Sequence, residues 1–359
     1  MPGIVEYRLH RLHIELPLPI GDSQVRFTDH WMTVLELTTD SGLTGTGFEL
    51  QQGLPIAGIA HLQAQFEYAH WPVLRNAEPI SQVLTISRPR GGNVEAVPMP
   101  LAVETALWDL VGKQLGLPLY RLFGGDNPRV KAYGSTLDFH LGDREFRDRL
   151  GDFRDMGFRG IKIKVGHPDL EWDLKRIAIA VDVMGADADL MVDANEAWSP
   201  AEAILRARRY HDEGFRTYWI EDPITREDYE GYGTLSSAVS TSRINTGEYL
   251  GFSGKRRLLE AHAVDVLNVH GQVNQSRAAA HLAGDYGIPI SLGNTLLEIG
   301  VHLGASLPEC IYMEYSDLAW NRLATEPVRF EESHAIAPDR PGHGIELNRE
   351  VLHEWSQPV

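Results

Sequence analysis

The chain carries four short apolar runs that each close on a charged side chain: GIKIK (160–164), DLMVD (189–193), TYWIE (217–221) and INTGE (244–248). Counted from Lys164, the closing residues Asp193, Glu221 and Glu248 follow at intervals of 29, 28 and 27 residues. A TIM barrel of about 250 residues repeats its strand-helix unit about every 31 residues and places its chemistry at the C-terminal ends of its strands. The spacing therefore predicts a barrel in which three carboxylates and a lysine pair converge at one mouth.

Eight runs of this kind follow one another along the chain, as the strands of a barrel would. They are short, apolar and often β-branched, which is typical of buried parallel strands. Helix-like stretches separate most of them, and one shows start and stop signals: Ser199, Pro200 and Glu202 form a capping box with proline at the first helical position, and Gly214 follows as a stop. The predicted strands are 130–136, 160–165, 189–193, 217–221, 244–248, 264–270, 288–292 and 311–315.

The sequence before the barrel is of a different kind. Segments 31–37 and 45–48 flank Thr-Asp-Ser-Gly at 39–42, which predicts a β-hairpin. Helical patterning follows at about 56–74 and 100–115.

Five stretches carry a resemblance to a known family: Lys162-Ile163-Lys164, Asp193-Ala194-Asn195, Trp219-Ile220-Glu221-Asp222-Pro223, Gly247-Glu248 and ETALWDLVGKQLGLPLYRLFGG at 104–125. In this order and at these intervals, the chain resembles the enolase superfamily, of the mandelate racemase and muconate lactonizing type, over nearly its whole length. The resemblance implies an α/β fold, a modified TIM barrel of the (β/α)7β kind with an α+β capping domain. The expected boundaries are 1–125 for the cap, 126–323 for the barrel with the active site, and 324–359 for a C-terminal return that completes the cap.

Length and composition agree with an enzyme and exclude other classes. A chain of 359 residues predicts about two domains, and its hydrophobic content of 43% suffices for a large core. The net charge of −17 opposes nonspecific binding to nucleic acid and to an anionic membrane surface. The single cysteine, Cys310, cannot form an intrachain disulfide, and neither a leader segment before Pro17 nor a bilayer-spanning apolar stretch is visible. We expect a cytoplasmic enzyme.

Lys162 and Lys164 are two residues apart on a predicted strand, so both side chains point to the barrel interior. Each cation disfavours a second one nearby, so one lysine should have a lowered pKa and could act as a base near neutral pH. An edge strand with both lysines in water is the usual interpretation of an isolated Lys-x-Lys, but the three carboxylates argue against it. The resemblance makes Lys164 the base and places Lys162 on the substrate carboxylate.

Any one of the three acids, taken alone, would be interpreted as a solvated loop acid or a helix cap; they are Asp193, Glu221 and Glu248. Three acids at one depth of one cavity repel one another strongly unless a cation lies between them. Carboxylate oxygens without cysteine or histidine are the ligands that Mg²⁺ prefers, so we expect one divalent cation per active site. Asn195, two residues after the first ligand, is either a substrate-contacting amide or a turn residue.

The predicted site suits removal of a proton α to a carboxylate, which leaves an enediolate. General acid-base catalysis contributes roughly 10² to 10⁴ in rate, about 3 to 5 kcal/mol, whereas enzymes need at least about 8 kcal/mol. Mg²⁺ and Lys162 would have to supply the rest by stabilising the enediolate oxygens, an arrangement known for enolase-superfamily sites. This half-reaction is the functional prediction on which the others depend.

The sequence departs from the family pattern on the opposite face of the site. Where the mandelate racemase pattern has an aspartate on the sixth strand and a histidine on the seventh, this chain has His270 on the sixth, and the seventh runs into Gly293-Asn294. His270 is therefore the best remaining acid or base on that face, although a lone histidine is often structural. Glu314 resembles the family's eighth-strand glutamate, which engages the substrate carboxylate, and Asn294 is a candidate substrate contact.

Three functions remain open at this point. The first is a lyase that dehydrates an acid sugar to a 2-keto-3-deoxy acid, with Lys164 as base and His270 assisting departure of the β-hydroxyl. The second is racemisation or epimerisation by 1,1-proton transfer between Lys164 and His270. The third is a metal-binding protein without turnover. The resemblance favours the first, and it implies a small carboxylate substrate, a sugar acid, and a homo-oligomer, with specificity in cap loops where Asp22, Arg26 and His30 are candidates.

Overall fold

The structure, a computed structural model, describes residues 2–52, 58–86, 98–293, 297–316, 318 and 320–356. Its N-terminal part begins with an antiparallel sheet of three strands in the order β1 (Ile4–Gly21), β2 (Arg26–Thr39) and β3 (Thr44–Gln52). The predicted hairpin is the connection of β2 to β3, where Gly42 has a φ of 82°. The backbone NH of Thr39 donates to the Leu43 carbonyl at 2.9 Å and closes the turn.

Helices follow the sheet and cover one of its faces. They are α1 (Ile59–Ala69), α2 (Trp71–Leu74), α3 (Pro79–Ile86), α4 (Pro100–Leu115) and α5 (Leu119–Leu122). The predicted helix at 100–115 is confirmed as α4, while the one at 56–74 is two helices whose predicted start lies outside the described residues. Gly47 allows α4 to lie against β3, because a Cβ atom there would come within 1.8 Å of the Ala102 carbonyl oxygen.

A closed barrel of eight parallel strands follows, and it confirms the predicted fold class. Each strand pairs with the next along the chain, and the last pairs with the first. The strands are β4 (Arg129–Ser135), β5 (Gly160–Lys164), β6 (Asp189–Asp193), β7 (Thr217–Glu221), β8 (Arg243–Thr246), β9 (Val266–Val269), β10 (Ile290–Leu292) and β11 (Cys310–Tyr315). All eight coincide with predicted runs to within a few residues.

The helices of the barrel alternate with its strands and give the (β/α)7β order. They are α6 (Asp143–Asp155), α7 (Leu170–Met184), α8 (Pro200–Asp212), α9 (Tyr229–Ala238), α10 (Phe252–Glu260), α11 (Val273–Asp285) and α12 (Leu297–Gly304). Helix α8 starts where its cap signals place it, since the Ser199 hydroxyl accepts from the backbone NH of Glu202 at 3.3 Å. Gly214, with a φ of 85°, ends the segment.

The C-terminal segment returns to both parts of the molecule. It contains a 3₁₀ turn (Trp320–Leu323), β12 (Arg329–Glu331), β13 (His334–Ile336) and α13 (Arg349–Trp355). Strand β13 pairs antiparallel with β4 of the barrel. Arg349 at the start of α13 forms an ion pair with Glu36 on β2 at 2.7 Å. These contacts fit a C-terminal return, and the exact domain boundaries stay a prediction.

In the part of the chain that the structure describes, no helix is both long and apolar enough to cross a bilayer.

Candidate active site

The charged residues that close the four runs lie at one end of the barrel, the C-terminal end of its strands. Lys164 is paired in register with Asp193 across β5 and β6, and Asp193 with Glu221 across β6 and β7. Glu248 lies just beyond the end of β8, after Gly247, whose φ of 117° turns the chain out of the strand. Because residues in register lie at one depth, the structure brings the acids and the lysines together.

Both lysines are buried and bound to acids. The Lys162 ammonium lies 2.5 Å from Glu221 Oε1, 3.2 Å from Glu314 Oε1 and 3.6 Å from Asp193 Oδ2. The Lys164 ammonium donates to Asp193 Oδ2 at 2.6 Å and to Asn195 Oδ1 at 2.7 Å. Lys162 thus sits among the carboxylates of several strands, and Lys164 is held at one side of the group.

The expectation that one lysine has a lowered pKa is wrong for the protein groups alone. Burial lowers the pKa of both ammonium groups, but the facing carboxylates outweigh it. The pKa of Lys162 is raised well above its ordinary value, chiefly by Glu221 and Glu314, and that of Lys164 is raised chiefly by Asp193. The repulsion between the two cations, on which the expectation depended, is the smaller effect.

The pKa values of the carboxylates are shifted in opposite directions, according to the charges around each group. Burial raises the pKa of Asp193, but Lys164 and Lys162 bring it below its ordinary value. Burial and the surrounding acids raise the pKa of Glu221 well above normal in spite of Lys162. The same causes raise the pKa of Glu248 to about 8. The site therefore lacks positive charge at the position of Glu221 and Glu248.

The chemistry of this donor set fits a divalent cation. Four buried carboxylates face two lysines, so two positive charges are needed to balance the ionised acids: Asp193, Glu221, Glu248 and Glu314 against Lys162 and Lys164. All six groups are at most 9% exposed, so water screens the imbalance weakly. Among the described residues, no three His, Cys, Asp or Glu side chains already surround a common point as metal ligands. The carboxylates of Glu221 and Asp193 point toward Lys162 and Lys164, respectively.

The predicted substrate contacts have different outcomes. Asn195 is at the mouth, with a φ of 45°, and its backbone NH donates to Asp193 Oδ1 at 3.0 Å. It is therefore both a turn residue and a neighbour of Lys164. Glu314 on β11 lies in the same group through its ion pair with Lys162. Asn294 lies outside the described residues.

His270 directly follows β9 and is partly buried at the mouth. Its Nδ1 lies 3.1 Å from the carbonyl oxygen of Gly293, and its ring contacts that of Tyr249 at 6.3 Å between centroids. Since a carbonyl oxygen can only accept, Nδ1 carries the proton in the neutral ring and Nε2 is the basic atom. The Gly293 carbonyl thus orients this ring.

Asp138 is a buried positioning residue that sequence reasoning missed. Its Oδ1 accepts from the backbone NH of Lys164 at 2.9 Å and from the Thr136 hydroxyl. Its Oδ2 accepts from Arg176 of α7 at 2.6 Å. Asp138 thereby fixes the end of β5 to β4 and α7. No motif marks it, because its partners lie in three separate stretches of sequence.

Two further buried groups hold the end of β8 and the loop after it. The Lys255 ammonium donates to the carbonyls of Leu250 at 2.6 Å and of Gly247, and burial lowers its pKa to about 8. Asp222 accepts from the Thr246 hydroxyl at 2.6 Å, and burial together with Asp193 raises its pKa to about 6. Asp222 stands in a quoted motif, so its presence was visible in the sequence but its role was not.

The hairpin between β1 and β2 closes the mouth from the cap side. The backbone NH of Gly21 donates to the Leu137 carbonyl at 3.1 Å, and Gln24 donates to the carbonyl of Asn195. Of the cap candidates, Asp22 lines a cavity at the mouth of the barrel, which Lys162, Lys164 and Asp193 also line. Arg26 is exposed. His30 is fully buried on β2, where burial lowers its pKa to about 4.

Family comparisons match both parts of the chain. Residues 10–124 match the mandelate racemase / muconate lactonizing enzyme N-terminal domain, and residues 145–351 match the enolase C-terminal domain-like family. A solved Mesorhizobium loti protein, described provisionally as a mandelate racemase, is 42% identical over 99% of this chain and 95% of its own, with a TM-score of 0.94.

Two characterised relatives are also similar. The 3,6-anhydro-alpha-L-galactonate cycloisomerase of Streptomyces coelicolor is 35% identical over 73% of each chain. The L-talarate/galactarate dehydratase of Salmonella typhimurium, solved with Mg and L-lyxarohydroxamate, is 26% identical over all of this chain and 94% of its own, with a TM-score of 0.86. Other curated relatives carry the names of sugar-acid dehydratases, a cycloisomerase and an epimerase. The chain therefore belongs to the enolase superfamily, of the mandelate racemase and muconate lactonizing type.

Proposed function

We propose that the protein removes the proton α to the carboxylate of a sugar acid and eliminates the β-hydroxyl, giving a 2-keto-3-deoxy acid. The observation that carries this proposal is the placement of the Lys164 amine, 2.6 Å from Asp193 and 2.7 Å from Asn195 at the open end of the barrel. A nitrogen base at that point lies beside the group of acids that would hold the substrate's carboxylate through a cation.

Each polar residue of the site would have a role that its position determines. Lys162, buried among Glu221, Glu314 and Asp193, would place a fixed positive charge beside the substrate carboxylate as it gains negative charge. Asn195 would hold the Lys164 amine toward the substrate. The raised pKa of Lys164 reflects its contact with Asp193, so the amine becomes a usable base only when the charge of Asp193 is engaged elsewhere.

Asp193, Glu221 and Glu248 would hold Mg²⁺, which is present in solved relatives of the family. When bound, Mg²⁺ would neutralise the acids and polarise the substrate carboxylate, making the α-proton easier to remove. The two positive charges that the buried group lacks are the support for this assignment.

His270 would serve the leaving group. Its Nδ1 is fixed on the Gly293 carbonyl, so Nε2 is the atom that can carry a proton to the departing hydroxyl. The same position on the sixth barrel strand would allow His270 to return a proton to the α-carbon from the side opposite Lys164.

Cycloisomerisation and epimerisation are the second candidates. A relative 35% identical to this chain is named a cycloisomerase, and another is named an epimerase. Both outcomes would share the step at Lys164. They differ in the second step, since a ring oxygen leaves in cycloisomerisation and a proton returns to the α-carbon in epimerisation.

The test is incubation of the protein and Mg²⁺ with a panel of sugar acids in D₂O, followed by proton NMR. Loss of the α-proton signal together with 2-keto-3-deoxy signals supports dehydration. Deuterium at the α-carbon with inverted configuration supports epimerisation instead. Absence of exchange with every acid in the panel would leave a metal-binding protein without turnover and overturn the proposal.

A further inference from the structure

The cavity at the mouth has two chemically different walls. The barrel supplies charged and amide groups: Lys162, Lys164, Asp193, Asn195, Glu248 and Glu314. The second wall, formed by the tip of the β1–β2 hairpin and by loops at the mouth, is mostly apolar and carries Ile20, Phe27, Leu137 and Leu318 together with Tyr249 and Ser316. Asp22 is the charged side chain that this second wall contributes among the described residues.

Within the described part of the cavity lining, positive charge lies on the barrel wall. Of the described residues that line the cavity, the basic ones are Lys162 and Lys164, and both are bound to carboxylates. Arg26 stands next to Phe27, but adjacent strand residues point to opposite faces, and Phe27 is the one that lines the cavity. Arg26 is correspondingly exposed.

The Asp22 carboxylate is fixed in place. Its Oδ1 accepts from the backbone NH of Gln24 at 2.7 Å and of Val25 at 3.1 Å. The loop that carries it is tied to the barrel by Gly21 and by His140, whose Nε2 lies 2.8 Å from the Val25 carbonyl oxygen. A fixed negative charge therefore faces whatever part of the substrate reaches the cap.

We propose that the substrate is a monocarboxylic sugar acid, an aldonate type of molecule whose end remote from the reacting carboxylate is uncharged. This inference rests on the proposed function, because it assumes that the reacting carboxylate binds at the barrel wall. A dicarboxylic sugar acid would bring its second carboxylate against Asp22 and apolar side chains, where the described lining residues offer no cation to pair it. A terminal hydroxyl would instead donate to Asp22.

The test compares acids of matched carbon skeleton: D-gluconate with D-glucarate, and D-galactonate with galactarate. With Mg²⁺, the expected kcat/KM for α-proton exchange is at least about tenfold higher for the monoacid of an accepted pair. The preference should shrink in high salt, because salt screens repulsion between partly exposed charges. An equal or higher kcat/KM for the diacid overturns the inference and leaves the proposed function standing.

Asp22→Asn isolates the charge responsible. Asparagine keeps the side-chain oxygen that accepts from the turn, so the loop should retain its shape. The variant should lower the monoacid-to-diacid ratio severalfold. The matched control is Asp29→Asn, which removes the same charge from the same hairpin at a residue bound to His13 rather than lining the cavity. An equal change of the ratio in both variants would contradict a specific role of Asp22.

A binding measurement separates this inference from the proposed chemistry. In Lys164→Ala, each acid can be titrated by calorimetry in the presence of Mg²⁺ without turnover. Tighter binding of the monoacids supports the inference even if the reaction differs from dehydration. Tighter binding of the diacids contradicts it, and absence of binding by every acid overturns both the inference and the proposed function.

Discussion

Lys164 is the residue whose replacement tests the chemistry most directly. We expect Lys164→Ala to lower kcat by about 10² to 10⁴, the usual contribution of a general base, and to abolish exchange of the α-proton in D₂O. The matched control is Lys175→Ala, because that lysine is 60% exposed and pairs with Asp143 at 2.5 Å. Full exchange by Lys164→Ala would show that another group is the base.

His270 permits a separate test of the second half of the reaction. If its Nε2 serves the leaving group, His270→Asn should retain exchange of the α-proton by Lys164 and lose most formation of keto acid. His281→Asn is the control, since its side chain is 59% exposed near Glu309. NMR measures both quantities in one sample. Unchanged product formation would make His270 a packing residue.

For single residues, the sequence predicts where a side chain lies in the barrel better than it predicts the pKa of that side chain. Lys164, Asp193 and Glu221 could be placed because a barrel repeat puts strand ends at one depth. The direction of the lysine pKa could not be foreseen, because it depends on how many carboxylates face each ammonium group in space. Asp138 was missed because its three partners are distant in sequence.

At the scale of elements, the buried barrel strands were predictable and the first strand of the cap was not. Strands β6 and β7 match their predicted bounds, because strands covered on both faces are continuous apolar runs. Strand β1 contains Pro17 and Pro19, which argue against a strand. Its pairing with β2 is irregular between Glu15 and Ile20, and this irregularity accommodates both prolines.

Asp138 provides the prediction at this scale, because it joins β4, β5 and α7. Asp138→Asn would leave the buried guanidinium of Arg176 without its buried counter-charge, at a cost of about 3 to 5 kcal/mol in the free energy of unfolding. Activity should fall too, because the backbone of Lys164 loses an anchor. The measurement is the urea midpoint together with kcat.

Asp143→Asn is the matched control for that variant. Asp143 also faces Arg176, at 3.9 Å, but its side chain is 48% exposed, and surface ion pairs contribute at most about 1 kcal/mol. A small effect of Asp143→Asn beside a large effect of Asp138→Asn is the expected pattern. Equal urea midpoints for the two variants would refute the role given to Asp138.

At the scale of the whole molecule, the unbalanced acids of the mouth predict stabilisation by divalent cations. Mg²⁺ at about 100 times its Kd should add about 2.7 kcal/mol to the free energy of unfolding and raise Tm. NaCl of equal ionic strength is the control, and Glu248→Gln should remove most of the effect. A Tm that responds equally to both salts would contradict metal binding at this site.

The fold of the whole molecule followed from the sequence, whereas the junction of cap and barrel did not. The barrel repeat and the family motifs span most of the chain and were sufficient for the architecture. At the junction, His302 of the barrel contacts Tyr120 of the cap and the His343 carbonyl of the C-terminal return, and the His343 backbone NH donates to buried Asp109 on α4 at 3.0 Å. These partners lie far apart in the sequence, so no local pattern indicates them. The homo-oligomer and the cytoplasmic location stay predictions.

That junction predicts the response of the molecule to acid. His302 on α12 accepts at Nδ1 from the backbone NH of Tyr120 at 3.1 Å and donates from Nε2 to the His343 carbonyl at 3.0 Å. A second proton would have to occupy Nδ1, which faces a donor, and burial lowers the pKa of His302 to about 4. The unfolded chain takes up that proton near pH 6.5, so the contribution of His302 to stability is full above pH 6.5 and is lost as the pH falls toward 4.

The expected loss from His302 is up to about 3 kcal/mol between those limits, with further contributions from His343 and His30, whose pKa values burial also lowers. Urea midpoints at pH 4.5 and 7.5 measure it. In His302→Gln, whose amide cannot titrate but can accept from Tyr120 and donate to His343, the difference between the two midpoints should be smaller. His281→Gln, an exposed position, should leave it unchanged. If His302→Gln keeps the full acid dependence, groups other than His302 govern it. Glu36 is a weak candidate for such a group, because its pKa of about 2 means that its contribution is lost mainly below this pH range.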